Sequence, residues 1–522
     1  MDTVFQAADI LLPEKTIDME KWSVIACDQF TSEPEYWEKV KANVAEHPST
    51  LDMILPEVYL GHDDHEKQLK TIESSMNKYL HEQVFAEYKD AMIYVERTDS
   101  SGKVRSGIVG KIDLEQYDYR KKSTSFIRAT EATVAERIPA RVEIRKNAVV
   151  ELPHVMLLVD DAGKHVIEPC AFEKENLPLL YDFDLMLGGG HLRGYLLGEK
   201  EQERIQKALS FLADAKCFGD KYHVKNRPVL LFAVGDGNHS LAAAKEYYEQ
   251  LKAAYPDEDF SDHPARYALV EIVNLHSPAL QFEAIHRIVT DVDVEDLLSK
   301  MSVALHIKKE GKGQTFYTIY KGKKKKCVID RPTSKLTVGS LQRFLDSYLA
   351  QNGGKIDYIH GEDVVEGLAK EKNSIGFILP DMGKEELFPT VIHDGALPRK
   401  TFSMGHAQDK RYYTECRKIR KEEDSMPTTY THYAYGQDVF KKLPEQIQKS
   451  IETYMDYYNI GVHGPDILFY YHSYHKNSVN QYGIKVHHEP AREFFKRAFK
   501  VFQVQKNKRA ACAYLAGFMT HF

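Results

Sequence analysis

Pro228 to Gln250 reads PVLLFAVGDGNHSLAAAKEYYEQ, and the fold class turns on this stretch. Pro228 to Val234 is apolar and rich in Val, Leu and Phe. A short run of that kind bounded by turn residues reads as a buried strand. Gly235-Asp236-Gly237-Asn238-His239-Ser240 is then a tight polar turn, and Leu241 onward opens a helix of good helix formers. A strand that passes through a glycine turn into a helix start presents backbone N–H groups to an anion, and the glycines let a ligand approach the backbone. The same pattern also serves an ordinary strand-to-helix connection with Asn238 or Ser240 as N-cap. Both readings stand on the residues alone.

Outward from that stretch, the 522-residue length predicts two or three domains, and a 43% hydrophobic content predicts packed globular cores. The net charge of −7 argues against a general nucleic-acid binder. The run Lys321-Gly-Lys-Lys-Lys-Lys326 sits at a hairpin tip and reads as solvated charge. No apolar run reaches membrane-spanning length and no basic-then-apolar leader opens the chain, so a cytoplasmic location is expected. Cys27, Cys170, Cys217, Cys327, Cys416 and Cys512 are scattered without a CxxC pair, which points to incidental thiols rather than a disulfide framework.

Several other residues have the chemistry of a site. Trp22 to Cys27 predicts a buried strand and Glu33 to Glu46 a helix, which places Asp28 at a strand end, where site residues gather. Arg128, Glu131, Arg137, Arg141 and Arg145 read as solvated helix charges, or else some of these arginines clamp phosphate. Gly188-Gly-Gly-His191 is a second glycine-rich stretch, either a hairpin tip or a close approach to a ligand. Tyr267 to Asn274 predicts a strand carrying Glu271, and His286-Arg287 lies in apolar surroundings. Lys400 and Thr401 belong to a basic stretch suited to an oxyanion. Arg411 to Glu423 reads as a charged segment. Strands alternating with helices predict an α/β (α+β) main unit.

Residues 1 to about 424 resemble the domain of unknown function 1015 family. The resemblance rests on Gly235 to Ser240, where that family shows D-G-H-H-R, on Glu271, His286-Arg287 and His360, and on Leu397-Pro-Arg-Lys-Thr401 in place of M-P-x-K-S-T. Asn238 stands for the first histidine of the motif and Ser240 for its arginine. The motif is similar to one in the ParB/sulfiredoxin-like group, which includes nucleotide-dependent kinases of free serine. The resemblance implies a ParB-like core, a nucleotide (ATP or ADP) with Mg, and phosphoryl transfer to a small hydroxylated metabolite, with serine as the first candidate. In that reading Asp28, Asp236, His239 and Glu271 are the catalytic candidates. Gly235, Gly237, Asn238, Ser240, His191, His286, Arg287, Lys400 and Thr401 would hold the nucleotide. The lost histidine and arginine of the motif favour an alternative, ligand binding without turnover. No Walker motif is present, which excludes a P-loop kinase.

The pattern breaks at Ser425-Met426-Pro427. Residues 426 to 522 resemble the N-terminal part of zinc-dependent phospholipase C-like proteins, which are all-helical. The resemblance rests on Met426-Pro-Thr-Thr-Tyr-Thr-His432, His463-Gly-Pro-Asp466, Val486-His-His488-Glu and Gly517-Phe-Met-Thr-His521. It implies zinc ligation by His432, Asp466, His488 (or His487) and His521, and a metal-dependent phosphoester hydrolase as a third function. The sequence ends before that family's further ligands, so a partial module that binds zinc weakly or not at all is expected.

Overall fold

A computed structural model of the chain describes residues 4–31, 33–60, 65–131, 138–405, 407–420, 429–470, 478–487 and 491–521. Arg137 and His488 lie outside the described residues. The chain divides into two compact units, Met1–Arg420 and Lys421–Phe522.

The first unit is a mixed α/β structure around an 11-stranded sheet. Its main strands are β1 (Phe85–Thr98), β2 (Val104–Asp113), β3 (Tyr117–Asp118), β4 (Ile127–Ala129), β5 (Met156–Val159), β6 (Leu179–Leu185), β7 (Gly190–Leu197), β8 (Phe232–Asp236) and β9 (Tyr267–Asn274). They lie in the order β6-β7-β1-β2-β9-β5-β8-β4-β3, with Phe5–Gln6 paired to β2 and Ala8–Pro13 to β1. β8 runs parallel to β4 and antiparallel to β5, while β5 runs parallel to β9. The carboxyl end of β8, the carboxyl end of β4 and the amino end of β5 therefore share one sheet edge. A second, six-stranded sheet contains β10 (His286–Thr290), β11 (Ile307–Lys308), β12 (Gln314–Tyr320), β13 (Lys323–Ile329), β14 (Lys355–Ile359) and β15 (Ile375–Ile378), in the order β11-β13-β12-β15-β10-β14.

Two helices matter for the site, α1 (Ile138–Asn147) and α2 (Asn238–Ala254). Helix α2 buries Leu241, Ala242, Ala243, Ala244, Tyr247 and Tyr248 in the same core as Leu157 and Phe232 of the sheet. The small residues of its first turns let the helix lie close to the strands, and burial of its apolar face supplies most of its stability.

Two expectations change. The segment from Trp22 to Cys27 is not one strand. Asp18 caps a short helix, Met19–Trp22, and only Val24–Ile25 is extended, paired with Tyr412–Tyr413. The charged segment from Arg411 turns out to be largely buried in its described part. Arg411, Tyr412, Tyr413, Glu415, Cys416 and Arg417 are all buried, and Arg411 and Arg417 satisfy their charge on Glu271, Glu415 and Glu151.

The second unit is helical. It contains α3 (Thr429–Lys442), α4 (Met455–Val462) and α5 (Lys508–His521), with further helices between them. α4 and α5 pack closely: a Cβ on Gly461 would fall 2.1 Å from the Tyr514 carbonyl, and one on Gly517 2.1 Å from the Tyr458 carbonyl. Among the described residues, no helix of the chain is long and apolar enough to cross a membrane.

Candidate functional site

β8 ends at Asp236, and α2 begins two residues later at Asn238. Gly237 makes the turn with φ 76° and ψ 25°, the left-handed region. A Cβ there would lie 3.0 Å from Val155 Cα, so the backbone angle and the close contact both disfavour a side chain. The N-cap, Gly237, has no side chain with which to cap α2. The Asp236 carboxylate instead accepts the Gly237 N–H at 2.9 Å. Asn238 Oδ1 is buried with no hydrogen-bond partner among the described residues. Ser240, one of the expected caps, turns its hydroxyl to His154, with 3.0 Å between Oγ and Nε2. The Asp236 carboxylate thus sits at the positive end of the α2 dipole, bonded to the N-cap amide.

Four residues from distant parts of the sequence close around this turn. Asp28 Oδ2 lies 3.7 Å from His154 Nε2. Lys410 Nζ lies 3.2 Å from Asp236 Oδ2. The Tyr413 hydroxyl lies 2.9 Å from His154 Nδ1, accepts the Cys27 N–H at 3.2 Å and donates to Cys27 Sγ at 3.1 Å. Tyr413 accordingly holds the imidazole by one nitrogen while the other faces both Ser240 and Asp28.

The charge state of the cluster follows from its surroundings. Burial pushes the Asp28 carboxyl up, but His154, the Gln29 amide, Lys410 and Arg141 outweigh it and hold the group below its ordinary value. Asp28 is therefore a carboxylate at neutral pH. Burial raises the Cys27 thiol to about 12, so it stays protonated. Burial likewise keeps Tyr413 a neutral phenol. A cavity of about 150 Å³ opens here, lined by Cys27, Arg141, His154, Ser240 and Tyr413 on its polar side and by residues such as Met53 and Met76 on its apolar side. Arg141 and Arg145 at its wall are paired with Glu57 and Glu151.

The structure brings together Asp28, Gly235, Asp236, Gly237, Asn238 and Ser240, with His239 half-buried on the same helical turn. Other expected site residues lie elsewhere. Glu271 is buried and holds Arg411 and Arg105, the latter at 3.5 Å. Burial would raise its carboxyl, yet Arg105 and Arg411 keep it below its ordinary value. It stands in register with Met156, which in turn faces Asp236, two strands away. Already paired twice, it is a structural anion beneath the site rather than a free base. His191 sits on β7, five strands from β8, with its ring nitrogens 2.6 and 2.5 Å from Asp184 and Asp182. His286 belongs to the second sheet and accepts the Leu379 N–H at 3.2 Å; burial lowers its pKa, so it is a neutral acceptor. Arg287 is fully buried on Gln342 and the Ile285 and Arg399 carbonyls.

Lys400 and Thr401 form a second group with Glu131, just past the carboxyl end of β4. Glu131 accepts the Thr401 N–H at 3.2 Å, and burial raises its carboxyl above the ordinary value despite Lys400. The strand following these residues passes Gly235, where Met404 Cε would lie 2.9 Å from an added Cβ. In the second unit His432, Asp466 and His521 converge: each offers a ligand atom, and all three lie within 4.8 Å of one another. His432 Nε2 is 3.0 Å from Asp466 Oδ2, and the two imidazoles stack at 4.2 Å.

The family described as "Protein of unknown function (DUF1015)" matches residues 11–348, well over half of the chain. The chain belongs to this family. No curated protein matches it. Among solved structures, a free serine kinase in complex with AMP is similar at 13% identity and a TM-score of 0.33, over 62% of this chain and 94% of that one. A conserved hypothetical protein from Pyrococcus furiosus is similar at 10% identity and a TM-score of 0.30, over 62% and 97%. SbnI from Staphylococcus aureus, C-terminally truncated, is similar at 8% identity and 0.31, over 57% and 82%.

His154, Lys410 and Tyr413 were not singled out by the sequence. Pro153-His154 lies in the connection entering β5, and Lys410 and Tyr413 lie in a segment whose strands are two residues long. Neither stretch carries a periodic pattern. The one available signal was the order of strands: β5 starts on the edge where β8 ends.

Proposed function

We propose that the first unit of this protein transfers a phosphoryl group from a nucleotide to the hydroxyl of a small metabolite, free serine being the first acceptor to test. The observation that carries this reading is the convergence of the Asp28 carboxylate, Lys410 and the first turn of α2 at one glycine turn. The α2 amides and Lys410 suit phosphate oxygens, since both offer fixed positive charge where negative charge develops. Asp28, ionised and backed by His154, is placed to receive the acceptor's proton, and His154 is held by Tyr413 so that its second nitrogen can share it. Asp236 and the unpartnered Asn238 Oδ1 are the oxygens suited to a Mg ion, which when bound would neutralise phosphate charge.

Calorimetric titration with ATP and ADP, with and without Mg, tests the reading. Saturable binding and ADP release with serine are expected. Asp28→Asn should lower turnover by about 10²–10⁴-fold while leaving nucleotide affinity nearly unchanged. Absence of binding by either nucleotide ends the reading. Nucleotide binding without product from any of a panel of small alcohols would favour a ligand sensor, which the Asn238 and Ser240 replacements also suit.

The second unit supports a separate reading, a zinc site formed by His432, Asp466 and His521. Two imidazoles and a carboxylate make a three-ligand set of the kind that leaves a zinc position open to water or substrate. A metal-dependent phosphoester hydrolase is the activity that would follow. Metal analysis of the purified full chain is the direct check, and zinc at less than a tenth of the protein would count against it.

A further inference from the structure

The sheet edge opposite the glycine turn carries a cleft of about 300 Å³, lined among others by Lys121, Lys122, Arg128, Arg227, His393 and Asp394. Arg128 lies on β4, and its side chain runs toward the amino ends of β4 and β8. Nε donates to the Ser125 carbonyl at 2.8 Å, and Nη2 to the Pro228 and Val229 carbonyls at 2.9 and 3.1 Å. Gly235 lies at the other end of β8, so this cleft is distinct from the candidate site.

Among the described residues, the charge in this cleft is not balanced. Arg128 is only 7% exposed. Among the described residues, no carboxylate pairs with it and Nη1 has no partner. Its three carbonyl contacts orient the guanidinium without neutralising it. Burial lowers its pKa to about 10, which leaves it charged at neutral pH. Lys121, Lys122 and Arg227 are exposed around it, and among the described residues none has an acidic partner. Asp394 is the one acid in the lining, and its Oδ2 is taken by the Ser334 hydroxyl at 3.0 Å and the Lys335 N–H at 2.9 Å.

We propose that this cleft binds a small phosphate-bearing anion, with Arg128 as the buried anchor and Lys121, Lys122 and Arg227 around the rim. Four cations converging on one concave space suit a dianion better than a single carboxylate, and a planar guanidinium matches phosphate oxygens. The size of the cleft suits a small molecule rather than a polymer. The assignment does not depend on the phosphotransferase reading, which uses the opposite edge of the sheet.

The test is calorimetry on the full chain with inorganic phosphate, pyrophosphate and glycerol 3-phosphate, each at ionic strength matched with KCl. One saturable site is expected for at least one of them, and the tightest ligand tells free phosphate from a phosphate ester or diphosphate. The surface variant Lys121→Ser/Lys122→Ser/Arg227→Ser should weaken that binding by about tenfold or more. Arg128→Lys, which keeps the charge but loses the fork, should weaken it too. Lys410→Met, at the glycine turn, assigns the binding if the anion goes there instead. No saturable binding of any of the three, or binding that survives the triple variant, overturns the proposal.

Discussion

At the scale of single residues, Glu271 shows why a carboxylate on a strand is not yet a base. The residue type and its place on a predicted strand could be read from the sequence. The two guanidiniums that neutralise it could not, because Arg105 and Arg411 lie 166 and 140 positions away in the chain. Glu271 is 1% exposed, so Glu271→Gln leaves Arg411 and Arg105 short of a buried counter-charge. A loss of about 3–5 kcal/mol in denaturant unfolding is expected. The pH dependence has a fixed sign. The folded carboxyl titrates below its ordinary value because its two arginines outweigh burial, so the unfolded chain takes up the proton first. The stability Glu271 contributes is full above the unfolded carboxyl value of about 4.3 and drains as pH falls through the lower folded value. Unfolding curves at pH 7 and pH 3 should therefore differ less for Glu271→Gln than for the parent. An equal pH response in both proteins would rule out the buried ion pairs as the cause.

At the scale of elements, the strand, glycine turn and helix from Phe232 to Ala254 were legible because each carries its own local signal: an apolar run, a Gly-Asp-Gly sequence, then good helix formers. The ends were less so, since the strand begins at Phe232 rather than at Pro228. The stretch from Arg411 to Lys418 was illegible for the opposite reason. Its two strands are two residues each, too short for any period, and its charges are buried only because distant strands supply Glu271 and Glu151. His154 and Tyr413 entered the site by the same long-range pairing. The turn itself makes a sharp prediction. Gly237→Ala forces a left-handed backbone angle on a residue with a Cβ and presses that Cβ on Val155. A loss of about 1–2 kcal/mol is expected, with nucleotide binding weakened more than stability because the first α2 amides shift. Unchanged ligand affinity in a folded Gly237→Ala protein would separate the helix start from the binding site.

At the scale of the whole molecule, the two units rest on different amounts of core. The first buries apolar side chains in several large clusters around two sheets. Among the described residues of the second, Ile451, Tyr458, Val462 and Ala513 form a cluster with a few partly buried neighbours, Val486, Ala510 and Phe518 are also buried, and Phe499, Val501 and Val504 stay exposed. A unit of about a hundred residues gains much from any ligand that binds only its folded form. His432, Asp466 and His521 come from α3, the segment after α4, and α5, so a metal held there would tie the bundle together across its length. Zinc at a hundredfold excess over its dissociation constant would add about 2.7 kcal/mol. For a unit of this size that is a rise of roughly 10–20 °C in its melting transition. Scanning calorimetry of the full chain should show one transition that moves up with zinc and down with a chelator, while the transition of the first unit stays in place. Asp466→Ala should abolish that response without touching the other transition. Two transitions that both ignore zinc would mean that the His432 cluster is held by its own ion pair and stacking alone.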